Sequence, residues 1–151
     1  MGKSFKHQAY LDKYKKCPKD DCKEKDLTAF RWAHNPPTPE DFCPVLLNNP
    51  LRAFDDNDKD CTGYALSLFK DAKHSIARYC EIYGNMDKPK RRESFKERNG
   101  TVSVKINITK NDGVSDMPNA DGHFNFFEYQ GCNLFMTISE ILDNFTKDGK
   151  S

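Results

Sequence analysis

Apolar and polar residues alternate most clearly between Thr101 and Thr109, where Val102, Val104, Ile106 and Ile108 interleave with Ser103, Lys105 and Asn107. A period of two over that length predicts a half-buried strand. A period near 3.6 is clearest from Asp71 to Tyr83, with Ala72, Ile76, Tyr79, Cys80 and Tyr83 on one face. Asp71 stands where an N-cap belongs and Gly84 where the helix should stop. Leu27–Ala33 is short and aromatic, a strand closed by Asn35-Pro36-Pro37-Thr38-Pro39, since each proline holds its predecessor in an extended conformation. Gly63–Phe69 reads as a buried strand.

Weaker patterns fill the rest. Phe5, Ala9, Tyr10, Leu11 and Tyr14 make a loose helical stripe ended by Pro18. Asp41–Leu47 is pinned by its apolar side chains, and Asp55–Asp60 reads as a solvated acidic loop. His123–Tyr129 and Asn133–Thr137 flank Gln130-Gly131-Cys132 as a predicted β-hairpin. Thr137 followed by Glu140 is a capping-box pattern, which predicts a last helix from Ile138 to about Phe145. Mixed element order with hairpin connections predicts one α+β domain over 1–151. Its sheet should be antiparallel or mixed, with a C-terminal β-hairpin and two or three packing helices. Residues 1–26 are expected as a Lys-rich, peripheral helical segment, and 88–98 as a basic connection.

Composition narrows the function classes. The 151 residues suit one domain. Charged residues make up 31%, yet 11 Phe, 6 Tyr and 1 Trp supply enough rings for a packed core. With 24 Lys and Arg against 23 Asp and Glu, the net charge of +1 gives no whole-molecule attraction for nucleic acid or anionic membrane. Locally the charge is uneven: +3 over 1–26, −3 over 27–87, +4 over 88–98 and −3 over 99–151. No run approaches the roughly 20 apolar residues of a membrane span. The start, Met-Gly-Lys-Ser-Phe-Lys-His, lacks the apolar stretch of a secretory signal and is an incomplete myristoylation pattern. A soluble cytoplasmic protein is expected. Its six cysteines (Cys17, Cys22, Cys43, Cys61, Cys80 and Cys132) should then be reduced, with Cys80 and Cys132 acting as small hydrophobes.

Candidate chemistry is sparse. Cys17 and Cys22 have a spacing that zinc sites use, and His34 or Cys43 could complete a set. No second knuckle follows, so reduced thiols without metal are expected. Asp56, Asp58 and Asp60 begin like a calcium loop, but Cys61 stands where glycine belongs and Ser67 where glutamate belongs. Hydrolase, P-loop and dinucleotide signatures are absent. A Cys132–His123 pair can be drawn, but six Cys and four His in a short chain make such pairs uninformative. His123 is expected as a strand-end hydrogen-bonding residue and His34 as an anchor of the proline-rich loop.

Two functional expectations follow. In the first, the protein is a small interaction or accessory module that works through a protein partner, with no cofactor. Arg91, Arg92, Trp32 and His34 would be its binding residues, because Arg and aromatic side chains carry interfaces. Glu93 and Glu97 dilute the basic run, so nucleic acid is not the expected partner. The alternative rests on Arg31 in Phe30-Arg31-Trp32, Ser67 in Ala65-Leu66-Ser67-Leu68-Phe69, and Glu128 in Phe127-Glu128-Tyr129. This order loosely resembles the Arg, Ser, Glu arrangement of ADP-ribosyltransferases. The resemblance implies NAD held in a split-sheet cleft by Arg31 and Ser67, with Glu128 stabilising positive charge on the ribose as nicotinamide leaves. The chain departs from that pattern at Leu68, where a second Ser or Thr is usual, and at Phe126, where Gln or Glu is usual.

Overall fold

The alternation at 102–108 is realised as a strand whose apolar side is sealed. The computed structural model describes residues 3–145. In it, β3 (Val102–Ile108) keeps Val104 and Ile106 fully buried. Along its whole length it pairs with β1 (Leu27–Ala33), Leu27 opposite Ile108 and Ala33 opposite Val102. With β2 (Leu66–Phe69), β4 (Gly113–Ser115), β5 (His123–Glu128) and β6 (Glu140–Asp143), these strands form one six-stranded sheet. Its order is β4-β5-β2-β1-β3-β6, and every pairing is antiparallel.

The two faces have different covers. On one, Ala29, Ala33, Leu66, Leu68, Val104, Ile106, Phe124 and Phe126 make the main core, closed by Cys132 and Leu134. On the other, helices α4 (Ala72–Gly84) and α5 (Pro89–Asn99) pack over Trp32 and Phe69. The Tyr79 hydroxyl donates to the Gly100 carbonyl at 2.6 Å, so this buried phenol is satisfied. Asp71 caps α4 by accepting from the His74 amide at 2.8 Å. A second cluster joins Leu11, Cys61, Ala65, Val114, Phe127 and Tyr129. It brings together the short helices α1 (Gln8–Leu11) and α3 (Asn57–Thr62) with the β4–β5 edge. The remaining short helix, α2 (Val45–Asn48), follows the proline-rich loop. Among the described residues no helix is long and apolar enough to cross a membrane.

Several expectations need correction. Glu140–Asp143 is a strand, because the open edge of β3 offers backbone partners, Val102 opposite Asp143 and Lys105 opposite Glu140. Thr137 caps no helix there, and its hydroxyl accepts instead from the Asn107 amide at 3.1 Å. Residues 134–137 form a 3-10 turn rather than a hairpin arm, and β5 pairs with β2 and β4. Segment 88–98 is helix α5, entered at Pro89, pinned by buried Phe95 and stopped at Gly100. Gly100 adopts φ +73°, and a Cβ there would lie 1.9 Å from the Ala33 carbonyl oxygen.

The acidic stretch at 55–60 is also structured. Asp60, 4% exposed, accepts from the Phe54 amide at 2.7 Å and holds the start of α3. The N-terminal segment is integral rather than peripheral: Phe5 bridges to Tyr129 and Lys23 to Ser115. Only Gln8–Leu11 of the expected first helix is helical. Cys17 and Cys61 form a disulfide across 44 positions, which overturns the all-reduced expectation for that pair. Cys22, Cys43, Cys80 and Cys132 are free.

Candidate functional site

Between its two covers the second sheet face lies open, leaving a cleft of about 940 Å3. Ser67 and Phe69 of β2 with His123 and Asn125 of β5 make its floor. Arg78 and Ile82 of α4 and Glu97 to Asn99 of α5 make one wall, and a strap over 34–54 makes the other.

The strap is pinned by His34 and Asp41. Asp41 Oδ2 accepts from the amides of Thr38 at 2.9 Å and His34 at 3.1 Å, closing a 3-10 turn over Pro39–Phe42. His34 Nδ1 lies 2.5 Å from Asp41 Oδ1, and Nε2 lies 2.7 Å from the Glu97 carbonyl. Both partners are acceptors, so the ring binds best when both nitrogens carry protons. The bond to Asp41 accordingly raises the His34 pKa above its ordinary value, against some desolvation. His34 thus anchors the loop to α5. Its partner Asp41 was not singled out from sequence.

Arg31 braces the same strap. β1 and β2 pair at Phe30 and Phe69. Beside that pairing the Arg31 guanidinium takes the Ser67 carbonyl through Nη1 at 2.9 Å and the Asp41 carbonyl through Nε at 2.6 Å. Burial lowers its pKa to about 10, against the upward pull of Glu128 and Asp41, so it stays charged at neutral pH. Its donors are committed largely to backbone carbonyls.

Of the Arg, Ser, Glu order, Arg31 lies within electrostatic reach of Glu128 and bonds the Ser67 carbonyl, but the Ser67 and Glu128 side chains lie on opposite faces of the sheet. Ser67 stands opposite Asn125 in the β2–β5 register, and Glu128 is three residues further along β5, an odd step that puts it on the other face. The Ser67 hydroxyl is hydrogen-bonded to His123 Nε2 in the cleft. Glu128 does not line the cleft; its side chain is 2% exposed and ion-paired with Lys6 at 2.8 Å. Arg31 and Ser67 line the cleft, but no carboxylate from Glu128 reaches it to steady a ribose cation.

The remaining candidates fall elsewhere. Trp32, named as a binding residue, is half-buried beneath α4 and α5. Its indole donates to the Ser75 carbonyl at 3.0 Å, and its ring packs against Phe69, Tyr79 and Phe95, with part of it reaching the cleft. Arg92 donates to the Met86 carbonyl at 2.7 Å and lies over the Tyr83 ring, while Arg91 is exposed on α5. Cys132 packs in the main core, across the sheet from His123, and burial pushes its thiol up to about 12. Cys17, held in its disulfide, makes no thiolate pair with Cys22. Asp58 and Asp60 lie in α3, which Asp56 caps, rather than in a calcium-type loop.

Sequence reasoning placed Ser67 and His123 separately and missed that they meet. The two are 56 positions apart, and only the β2–β5 register joins them. Comparison with protein-family models, curated protein sequences and solved structures returned no match for this chain.

Proposed function

We propose that the protein is a binding module whose cleft and strap receive a segment of a partner protein carrying an apolar anchor. One observation carries this reading: the strap exposes Val45 at 45%, Leu51 at 94% and Phe54 at 69% within ten residues. Val45 and Phe54 line the cleft itself. Leaving three large apolar side chains in water on one short segment fits a surface that is covered in use. Around them Arg52 and Arg98 line the cleft with no ion pair among the described residues, the residue type enriched at interface centres. A protein segment is favoured over nucleic acid because Lys88, Lys90, Arg91 and Lys96 do not line the cleft.

Panning a displayed peptide library on the folded chain tests this. Enriched peptides should share an aromatic or aliphatic anchor and lose binding at least tenfold to the Leu51→Asp, Phe54→Asp double variant. Enrichment indifferent to that variant, or tight salt-sensitive binding of a generic oligonucleotide, overturns the reading. The reading includes a cytoplasmic setting, with Cys22, Cys43, Cys80 and Cys132 free and the Cys17–Cys61 disulfide as the feature that opposes it. A reducing compartment would hold Cys17 and Cys61 open, so rapid alkylation in cells should trap both as thiols.

A further inference from the structure

We propose that Ser67 and His123 form a nucleophile and general-base pair that hydrolyses carboxylic esters on the floor of the cleft. This goes beyond the binding reading and stands on different residues from the strap. Ser67 is the exposed residue of a strand whose other members, Leu66, Leu68 and Phe69, are buried. Its hydroxyl therefore has no packing role, and it is turned onto an imidazole.

The bond between the Ser67 hydroxyl and His123 Nε2 is the one a serine nucleophile needs. A hydroxyl donating to Nε2 requires the neutral ring with its proton on Nδ1. Burial favours that neutral form, moving the His123 pKa down, helped by the charge of Arg78 and opposed by Asp116 and Asp121. The ring is also held in place. The Phe69 ring sits against it at 5.6 Å between centroids, and its own backbone amide donates to Asn119 Oδ1 at 3.0 Å. Both reacting groups border a cleft large enough for a small ester. Arg78, ion-paired with Glu81, lines the same cleft and is the cation whose charge acts on His123.

The chemistry balances without any further reactant than water. His123 Nε2 takes the Ser67 proton as Oγ bonds to the acyl carbon. The carbon–oxygen bond to the leaving alcohol then breaks, and His123 returns the proton to that oxygen. Water repeats the sequence on the acyl-serine, releasing the acid and restoring Ser67. No carboxylate holds Nδ1 of His123 through a hydrogen bond among the described residues, so a dyad rather than a triad operates.

The test uses the full chain, a fluorophosphonate probe and 4-nitrophenyl acetate. Intact mass should show one adduct, located on the Ser67 peptide. Labelling should vanish in Ser67→Ala and slow by about 100-fold in His123→Gln, the scale of general-base assistance. Ser67→Ala removes only an exposed hydroxyl, and His123→Asn serves as a second base variant should His123→Gln melt early. No adduct on Ser67 of the folded wild type overturns the proposal. An adduct forming equally fast in either folded His123 variant, or ester turnover unchanged by Ser67→Ala, does the same.

Discussion

Lys6 and Glu128, 122 positions apart, are joined by an ion pair of 2.8 Å that ties the N-terminal segment to β5. The Glu128 side chain is 2% exposed, and its Oε1 is buried without a hydrogen-bond partner. Lys6 Nζ also donates to the Cys132 carbonyl at 2.5 Å, so one ammonium closes the gap between the segment and the loop after β5. Removing the lysine leaves a carboxylate buried and unpaired, which is far costlier than removing the pair.

Lys6→Met should therefore destabilise the protein by about 3 kcal/mol, read by urea denaturation. Lys6→Met combined with Glu128→Gln should recover a good part of that loss. Burial pushes the Glu128 pKa above its ordinary value, with Lys6 pulling it back. A carboxyl raised on folding contributes stability below its unfolded pKa and loses it as pH rises through the folded one. Glu128→Gln should remove the decline in stability that follows as pH rises through the raised Glu128 pKa. Equal losses for Lys6→Met and the double variant would show that the pair is not coupled.

The strap carries a pH response of its own. His34 has a raised pKa on folding, so its bonds to Asp41 and Glu97 contribute fully below its unfolded pKa near 6.5 and weaken as pH rises through the folded value. The ring is part-exposed, which keeps the effect modest. Hydrogen exchange at the Thr38 and His34 amides, both held by Asp41, should lose protection across that rise after correction for intrinsic rate. In His34→Gln the same amides should show no such step. A step that persists in His34→Gln would assign it to another group.

How far the sequence disclosed this fold depends on where each element gets its stability. β1, β3 and α4 carry their own signals: an aromatic run closed by prolines, a clean two-residue alternation, and a capped helical stripe from Asp71. β6 carries none, since Glu140–Asp143 is four residues whose strand state comes from the β3 edge. α5 has one buried apolar residue, Phe95, in eleven positions, too few to write a stripe. Its Lys, Arg and Glu favour helix by propensity alone, and the same residues spell a charge run. The site was legible only in parts. Arg31, Ser67 and His34 were named, but face assignment needs the register between strands, and a one-residue difference separates Ser67 from Glu128.

The disulfide links the N-terminal segment to α3, where hydrogen bonds between the Lys15 backbone and the Asn57 side chain are its neighbouring restraints. Cys17 and Cys61 are 44 positions apart, and closing a loop of that size lowers unfolded-chain entropy by an amount worth about 2–4 kcal/mol. Thiol reductant should lower the melting temperature of the wild type. It should leave Cys17→Ser unchanged, because that variant has already lost the bridge. The loss should be confined to stability, since neither cysteine lines the cleft. A wild-type melting temperature indifferent to reductant would mean that the bridge does not form in solution.

Arg91 and Arg92 are neighbours with different structural duties, although the charge run makes them look equivalent. Arg92 is half-buried: its Nε donates to the Met86 carbonyl at 2.7 Å, and its guanidinium lies 5.0 Å from the centroid of the Tyr83 ring. It closes the turn between α4 and α5, holding a carbonyl just past the end of α4. Arg91 is exposed and makes no ion pair among the described residues. Reversing Arg92 to Glu removes a charge-assisted hydrogen bond and a cation–π contact together, and it sets a carboxylate against a carbonyl. We expect a cost of about 2 kcal/mol. Arg91→Glu should stay within about 0.5 kcal/mol of wild type, as exposed substitutions do. Thermal melts of the two single variants decide the matter, and equal shifts would mean that the Arg92 brace contributes nothing.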